Sequence, residues 1–193
     1  MTTADDEAPQ LPSPAPGDKA VMVIPGGPGS PIGPDGKPKD IILPIAATRE
    51  SEARFHEVQQ VNPITYVNLE HTFNESYREL KRHLATIGYQ LVMADKAMRQ
   101  AKSAFLLDKY PDLIKDRPKS EHNADMRDAH LMRDQNYVDA LDRVAMLTAM
   151  EAFIDGRIKT VENVCRYMRK RMDLVIRSGL SNAEYYITSG GKK

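Results

Sequence analysis

The strongest constraint on the fold is an unbroken heptad spacing of apolar residues in the first half of the chain. From Tyr77 to Phe105, apolar residues recur in alternating steps of three and four, as in the seam of a coiled-coil helix. Asn62 and Pro63 are a typical N-cap and first helical residue. At 1.5 Å per residue, a helix over residues 63–109 would be about 70 Å long. The spacing therefore predicts an elongated, all-α architecture.

A second seam follows a connector. Pro111 and Pro118 interrupt the helical pattern, and from Ile154 to Val175 apolar residues again step by four and three. Two rods joined by a connector of about 25 residues predict an antiparallel helical hairpin. Because each seam is narrow, we expect hairpins to associate into coiled-coil oligomers. The residues expected at the oligomer contacts are Leu80, Leu84, Ile87, Leu91, Ile158, Val161, Cys165, Met168 and Met172.

The two ends of the chain differ from this helical part. Ten of the thirteen prolines and six of the eleven glycines lie within residues 1–44, so a disordered, Pro/Gly-rich N-terminal tail is expected over residues 1–46. Two apolar segments, 20–24 and 40–45, interrupt it; they could dock on a partner or fold back onto the protein's own helices. Gly179 is a natural C-cap. The prediction is a helical domain over residues 47–180 and a flexible end over residues 181–193.

Residue patterns typical of catalysis are missing. The single cysteine, Cys165, lies on the second seam, and the five histidines have no metal-ligand spacing. The glycine-rich stretch GGPGSPIGPDGKPKD lacks the Lys-Ser/Thr of a phosphate-binding loop. We therefore expect a protein that is not an enzyme and holds no metal or cofactor. A lone cysteine, an acidic N-terminus and no long apolar run favour a soluble cytoplasmic protein without a membrane span.

Positive charge is concentrated in the second rod. The formal net charge of the chain is zero, yet residues 156–180 hold seven basic and two acidic residues. Glu162 with Arg166 and Arg169 with Asp173 could form ordinary surface pairs at i,i+4. Four cations nevertheless fall in steps of seven, four and seven along one stripe: Lys159, Arg166, Lys170 and Arg177. Repeated around an oligomer, such a stripe would suit a phosphate backbone.

The stretch AMEAFIDGRIKTVENVCRYMRK, residues 149–170, resembles the last helix of the UvsY-type recombination mediators of tailed phages. The shared pattern is an acidic residue followed by Ala, a small residue before Arg, and then apolar and basic residues ending near Met-Arg. The matching positions are Glu151, Ala152, Gly156, Arg157, Val161, Val164, Met168 and Arg169. The segment DKYPDLIKDRPKSEHNADMRDAH resembles the polar connector of that family, and Lys102 lies where the family's first rod has a basic element linked to DNA binding. The likeness spans roughly residues 65–172.

The resemblance implies a mediator that forms ring-like homo-oligomers and binds single-stranded DNA without sequence preference. It would help a recombinase replace the single-stranded-DNA-binding protein during homologous recombination, in the cytoplasm of a host bacterium. Tyr167 could offer a base a stacking face. The expected DNA-binding residues are Arg157, Lys159, Arg166, Tyr167, Arg169, Lys170, Arg171, Arg177 and Lys102. The alternative is a structural or scaffolding coiled-coil protein, such as a phage assembly factor, whose basic stripe contacts an acidic protein partner.

Overall fold

The structure is a computed structural model that describes residues 20–116, 118 and 123–189. Two strands come first, β1 (Val21–Ile24) and β2 (Ile41–Pro44), followed by helix α1 (Ala46–Ala53) and a 3-10 helix (Phe55–Gln60). The long helix α2 (Pro63–Ala104) ends in a π-helical turn (Phe105–Lys109) and the short helix α3 (Tyr110–Ile114). Helices α4 (Ala124–Leu131) and α5 (Gln135–Ser189) complete the order. The prediction of a mostly helical chain with long helices is confirmed.

Helices α2 and α5 pack against each other in opposite directions. Near one end, Arg169 Nε on α5 lies 3.4 Å from Glu70 Oε1 on α2. Near the other end, Lys109 pairs with the buried carboxylate of Asp134, just before α5 begins. The two helices share an apolar core, in which these side chains are fully buried: Phe73, Leu80 and Ile87 from α2, and Leu147, Ile154, Ile158 and Met168 from α5. The seams predicted from the sequence thus meet within one chain.

The start of α2 follows the predicted capping signal. Asn62 Oδ1 accepts hydrogen bonds from the backbone N–H groups of Ile64 at 2.9 Å and Thr65 at 3.1 Å. Thr65 Oγ1 accepts the N–H of Asn62 in return, at 3.2 Å. This reciprocal box satisfies N–H groups that have no partner inside the helix, and Pro63 has none to satisfy.

The far end of α5 corrects the predicted boundary. The helix continues past Gly179 to Ser189, so the predicted C-cap at Gly179 is wrong. The flexible end expected over residues 181–193 stays a prediction, and residues 190–193 lie outside the described part. A glycine inside a helix costs only about 1 kcal/mol relative to alanine. No proline follows Gly179, so nothing compels the helix to end there.

Residues 20–60, here called the strap, fold back along α2. Strands β1 and β2 pair antiparallel, with Val21 opposite Pro44 and Ile24 opposite Ile41. Ile24 is fully buried and Leu43 is nearly so. The expectation of a disordered tail over residues 1–46 is therefore wrong for residues 20–46, and residues 1–19 lie outside the described part. Of the two alternatives for the apolar segments, folding back onto the protein's own helices is the one observed.

Polar side chains hold the strap on α2. Glu79 on α2 accepts the N–H groups of Ala47 and Thr48, at 3.2 and 2.9 Å, at the start of α1. Ser51 and Ser76 hydroxyls are 3.0 Å apart. The strap thereby buries a row of polar α2 residues that a coiled-coil seam would not contain: Thr72, Ser76, His83 and Gln90.

Candidate nucleic-acid interface

Most of the predicted oligomer contacts lie inside the protomer. Six of the nine are buried in its own core: Leu80, Ile87, Ile158, Val161, Met168 and Met172. A second copy cannot reach side chains that α2 and α5 already cover, so these six stabilise the hairpin. Leu84, Leu91 and Cys165 are only half-buried, at the edge of the same core. The periodicity predicted the packing seam and the hairpin, but the assignment of these side chains to contacts between copies is wrong for the six that the hairpin itself buries.

Three of the predicted DNA-binding cations are paired with carboxylates. Lys159 Nζ lies 2.6 Å from Asp155 Oδ2, one turn back on α5. Arg169 pairs with Glu70 of α2, so the expected pair with Asp173 is not formed. Arg157 pairs with Glu52 of the strap, and its guanidinium carbon lies 5.0 Å from the centroid of the Phe153 ring. The Arg169 and Arg157 pairs hold α5 against the rest of the protomer, and all three pairs leave less charge for a ligand.

Arg166, Lys170 and Arg177 keep their charge available. All three side chains are exposed, and within the described part of the chain none of them forms an ion pair or a side-chain hydrogen bond. The expected pair of Arg166 with Glu162 is therefore absent. The three cations are separated by four and seven residues, about 6 and 10 Å along one side of the helix. They form a basic ridge, a name used below for these three residues.

A groove of about 400 Å³ runs beside the basic ridge between α2 and α5. Its walls combine cationic, aromatic and acidic side chains: Asn74, Tyr77, Glu162, Cys165, Arg166, Arg169, Lys170 and Asp173. Lys81, one turn further along α2, has its Nζ 5.3 Å from the centroid of the Tyr77 ring. Tyr77 follows the strap-contacting Ser76 by one residue, so it points about 100° away from the strap. The groove is consequently open to solvent on the side the strap does not cover.

Burial makes the Cys165 thiol a poor candidate for a nucleophile in this groove. Desolvation raises the pKa of its thiol, with smaller opposing and reinforcing effects from Arg169 and Glu70. A raised pKa keeps the sulfur in its neutral form, which is a poor nucleophile. Cys165 therefore serves as a small apolar side chain, as its place on the seam predicts.

Tyr167 and Arg171 lie on the side of α5 that faces the strap. Arg171 Nη1 donates to Tyr167 Oη at 3.3 Å, and both residues border a shallow cleft with Phe55, Val58 and Gln59. Tyr167 is 45% exposed. The predicted set is thus divided between two faces of α5, and Lys102 lies exposed on α2, some 37 Å along the helix from Tyr77.

Sequence reasoning overlooked Lys81 and assigned Tyr77 only to the seam. The two residues are four apart, which places them on neighbouring positions of one helix face. The four-residue spacing of Tyr77 and Lys81 could therefore have predicted an aromatic ring and a cation side by side on α2. The groove is lined by residues of both α2 and α5, so its position depends on how the two helices align. The sequence pattern of one helix does not specify that alignment.

Other kinds of site find no support in the described part of the chain. No three His, Cys, Asp or Glu side chains converge there as ligands for a metal ion. None of the helices described has both the length and the apolar character needed to span a bilayer. No family model matches the chain, and neither a curated protein nor a solved structure matches it.

Proposed function

We propose that this protein is a non-enzymatic recombination mediator that assembles into an oligomeric ring and binds single-stranded DNA along the basic ridge. It would help load a recombinase by displacing the single-stranded-DNA-binding protein, in the cytoplasm of a host bacterium. The observation that carries the proposal is the exposure of Arg166, Lys170 and Arg177 without carboxylate partners among the described residues. The resemblance of residues 149–170 to UvsY-type mediators supports the same function.

The chemistry of the groove is suited to binding without sequence preference. The ridge cations would contact phosphates and release counterions, which is the main source of affinity in such complexes. The Tyr77 ring, flanked by Lys81, would provide a stacking face that accepts any base. Glu162 and Asp173, also on the groove walls, would limit affinity and so let DNA pass to a recombinase.

Fluorescence anisotropy with a labelled oligo-dT strand tests the proposal. Wild-type protein should bind, with affinity falling steeply as salt rises. Arg166→Gln with Lys170→Gln should weaken binding at least tenfold, and the slope of log K against log[salt] should become less steep by about 1.4, because each phosphate contact on a single strand contributes about 0.7. The matched control is Lys37→Gln with Lys39→Gln, two exposed strap residues, which should bind almost normally.

Two results would contradict DNA binding through the ridge. One is an absence of binding at low salt from correctly folded protein. The other is an equal loss of affinity in the Lys37 and Lys39 control, which would mean that only overall charge matters.

A structural scaffold is the second candidate. It is favoured by the cations of α5 that meet acidic side chains from elsewhere in the chain, Arg157 with Glu52 and Arg169 with Glu70. A basic helix that pairs with carboxylates inside the protomer could also pair with those of an acidic protein partner. Under this alternative the ridge variants would lose the protein partner, and wild-type protein would not bind oligo-dT at any salt concentration.

A further inference from the structure

The last described side chains of α5 form an exposed apolar overhang. Helix α2 begins at Pro63, and Tyr66 in its first turn contacts Arg169 of α5. Because the two helices run in opposite directions, the residues of α5 that follow the first turn of α2 extend beyond the start of α2. Residues 173–178, called the overhang, are all exposed. Leu174 is 66% and Ile176 52% exposed, with Val175 between them. Three consecutive large apolar residues uncovered on a helix indicate a surface that binds another apolar surface.

A cleft of about 660 Å³ lies toward the opposite end of the hairpin. Its floor is made of small and apolar side chains, Ala97 and Ala101 from α2 with Ala140 and Met146 from α5. Asp139 and Asp142 stand on its rim, and both are exposed. Alanine side chains let a helix approach closely, and the rim carboxylates favour a partner with positive charge. We call this the alanine cleft.

The strap supplies one wall of the alanine cleft and is fixed there by an arginine. Pro25 and Gly26 line the cleft, and Arg143 Nη1 donates to their carbonyl oxygens at 2.8 and 3.3 Å. Arg143 Nη2 also donates to Gln90 Oε1 at 3.2 Å. The Arg143 charge is therefore occupied with strap and α2 acceptors, and the carboxylate of Asp142 has no ion pair among the described residues.

We propose that the overhang of one copy docks in the alanine cleft of a second copy. The apolar side chains of the overhang would cover the alanine floor, and Arg177 would lie near the carboxylates of Asp139 and Asp142. In the assembled oligomer this leaves Arg166 and Lys170 of each basic ridge for DNA. The inference rests on the proposed function, because it concerns the oligomer which that function requires. It assigns the contact to surfaces different from the buried seam residues predicted from the sequence.

The two surfaces cannot meet within one chain. Ala97 lies 34 residues after Pro63, about 50 Å along α2, whereas the overhang lies beyond the Pro63 end. Docking must therefore be between copies. Since the two contacting surfaces differ, the interface is head-to-tail, and repetition closes into a ring if the rotation per subunit permits it or otherwise gives a filament.

Two variants that each block one surface test the docking. Leu174→Asp with Ile176→Asp blocks the overhang, and Ala97→Arg with Ala140→Arg blocks the alanine cleft. By native mass spectrometry without DNA, wild-type protein should be oligomeric and each variant monomeric. An equimolar mixture of the two variants should form one-to-one dimers and nothing larger, because only one intact overhang and one intact cleft remain.

Several outcomes would overturn the docking. These are a monomeric wild type, a variant that keeps the wild-type oligomer, or a mixture that stays monomeric while both variants retain wild-type helical circular dichroism. If the cleft variant does not fold, Asp142→Arg replaces it, since that side chain is exposed; it should dissociate the oligomer and combine with the overhang variant in the same way. Binding of oligo-dT is measured separately on each species, so failed docking is distinguishable from failed DNA binding.

Discussion

Arg143 is the residue that joins the strap to both long helices. It lies on α5 and donates to two strap carbonyl groups and to Gln90 on α2. We expect Arg143→Met to lower the free energy of unfolding by about 1–3 kcal/mol, because these acceptors lose a charged donor in a partly buried place. Urea denaturation measures the change. Arg82→Met, an exposed arginine on α2, is the control and should stay within about 0.5 kcal/mol of wild type.

The burial of His83 under the strap predicts that the stability of the protein depends on pH. Burial lowers the pKa of its imidazole; nearby Glu79 and a hydrogen bond to the Pro44 backbone oppose this, while Arg82 reinforces it. The unfolded chain therefore takes up this proton more readily than the folded one, near the ordinary pKa of about 6.5. The stability that the protein gains from burying neutral His83 is therefore complete above about pH 6.5 and is lost as the pH falls below that value.

Replacing His83 should remove this part of the pH dependence. Between pH 8 and pH 5, the free energy of unfolding from urea titrations should fall less for His83→Gln than for wild type. Equal falls would show that other groups cause the whole pH dependence.

Neither Arg143 nor His83 could be identified from the sequence. Periodicity places both on long amphipathic helices, where a charged or polar residue is expected to face water. They are covered because the strap returns to α2 from far away in the chain: Ser30 and Gln90, for example, are sixty residues apart and hydrogen-bonded at 3.3 Å. Local patterns carry no information about such a contact.

At the scale of elements, two glycines should respond in opposite ways to the same substitution. Gly156 lies within α5, and an added Cβ would have no atom outside its own helix within 4 Å. Gly156→Ala should therefore raise the free energy of unfolding by about 1 kcal/mol.

At Gly26 of the strap, by contrast, an added Cβ would collide with the backbone carbonyl of Pro38. Gly26→Ala should destabilise the protein, and a stabilising effect in urea denaturation would show that the strap loop is not packed as described.

The elements differ in how well the sequence predicts them. The heptad spacing predicts α2 and α5 because each presents many turns of the same pattern to one partner. Strands β1 and β2 have four residues each and lie in a segment rich in proline and glycine, whose average composition predicts disorder. Their two apolar segments carried the relevant signal. The burial of Ile24 and Leu43 in the same core cluster as residues of α2 and α5 is what distinguishes folding back from docking on a partner.

At the scale of the molecule, the length of α5 predicts an extended shape in solution. A compact chain of 193 residues would have a radius of gyration of about 16 Å. Helix α5 alone has 55 residues and would be roughly 80 Å long, and only part of it is matched by α2. We therefore expect a monomer whose radius of gyration is clearly larger than the compact value.

Small-angle X-ray scattering coupled to size-exclusion chromatography tests this shape in the overhang variant, Leu174→Asp with Ile176→Asp, whose monomer peak is free of intermolecular contacts. A radius near 16 Å would mean that α5 folds back on itself, which would place the overhang against its own hairpin instead of a second copy. A larger radius with an elongated distance distribution would leave the overhang outside the protomer. In that state its apolar residues would be available to the next subunit of the proposed oligomer, and the length of α5 would set how far apart neighbouring basic ridges lie.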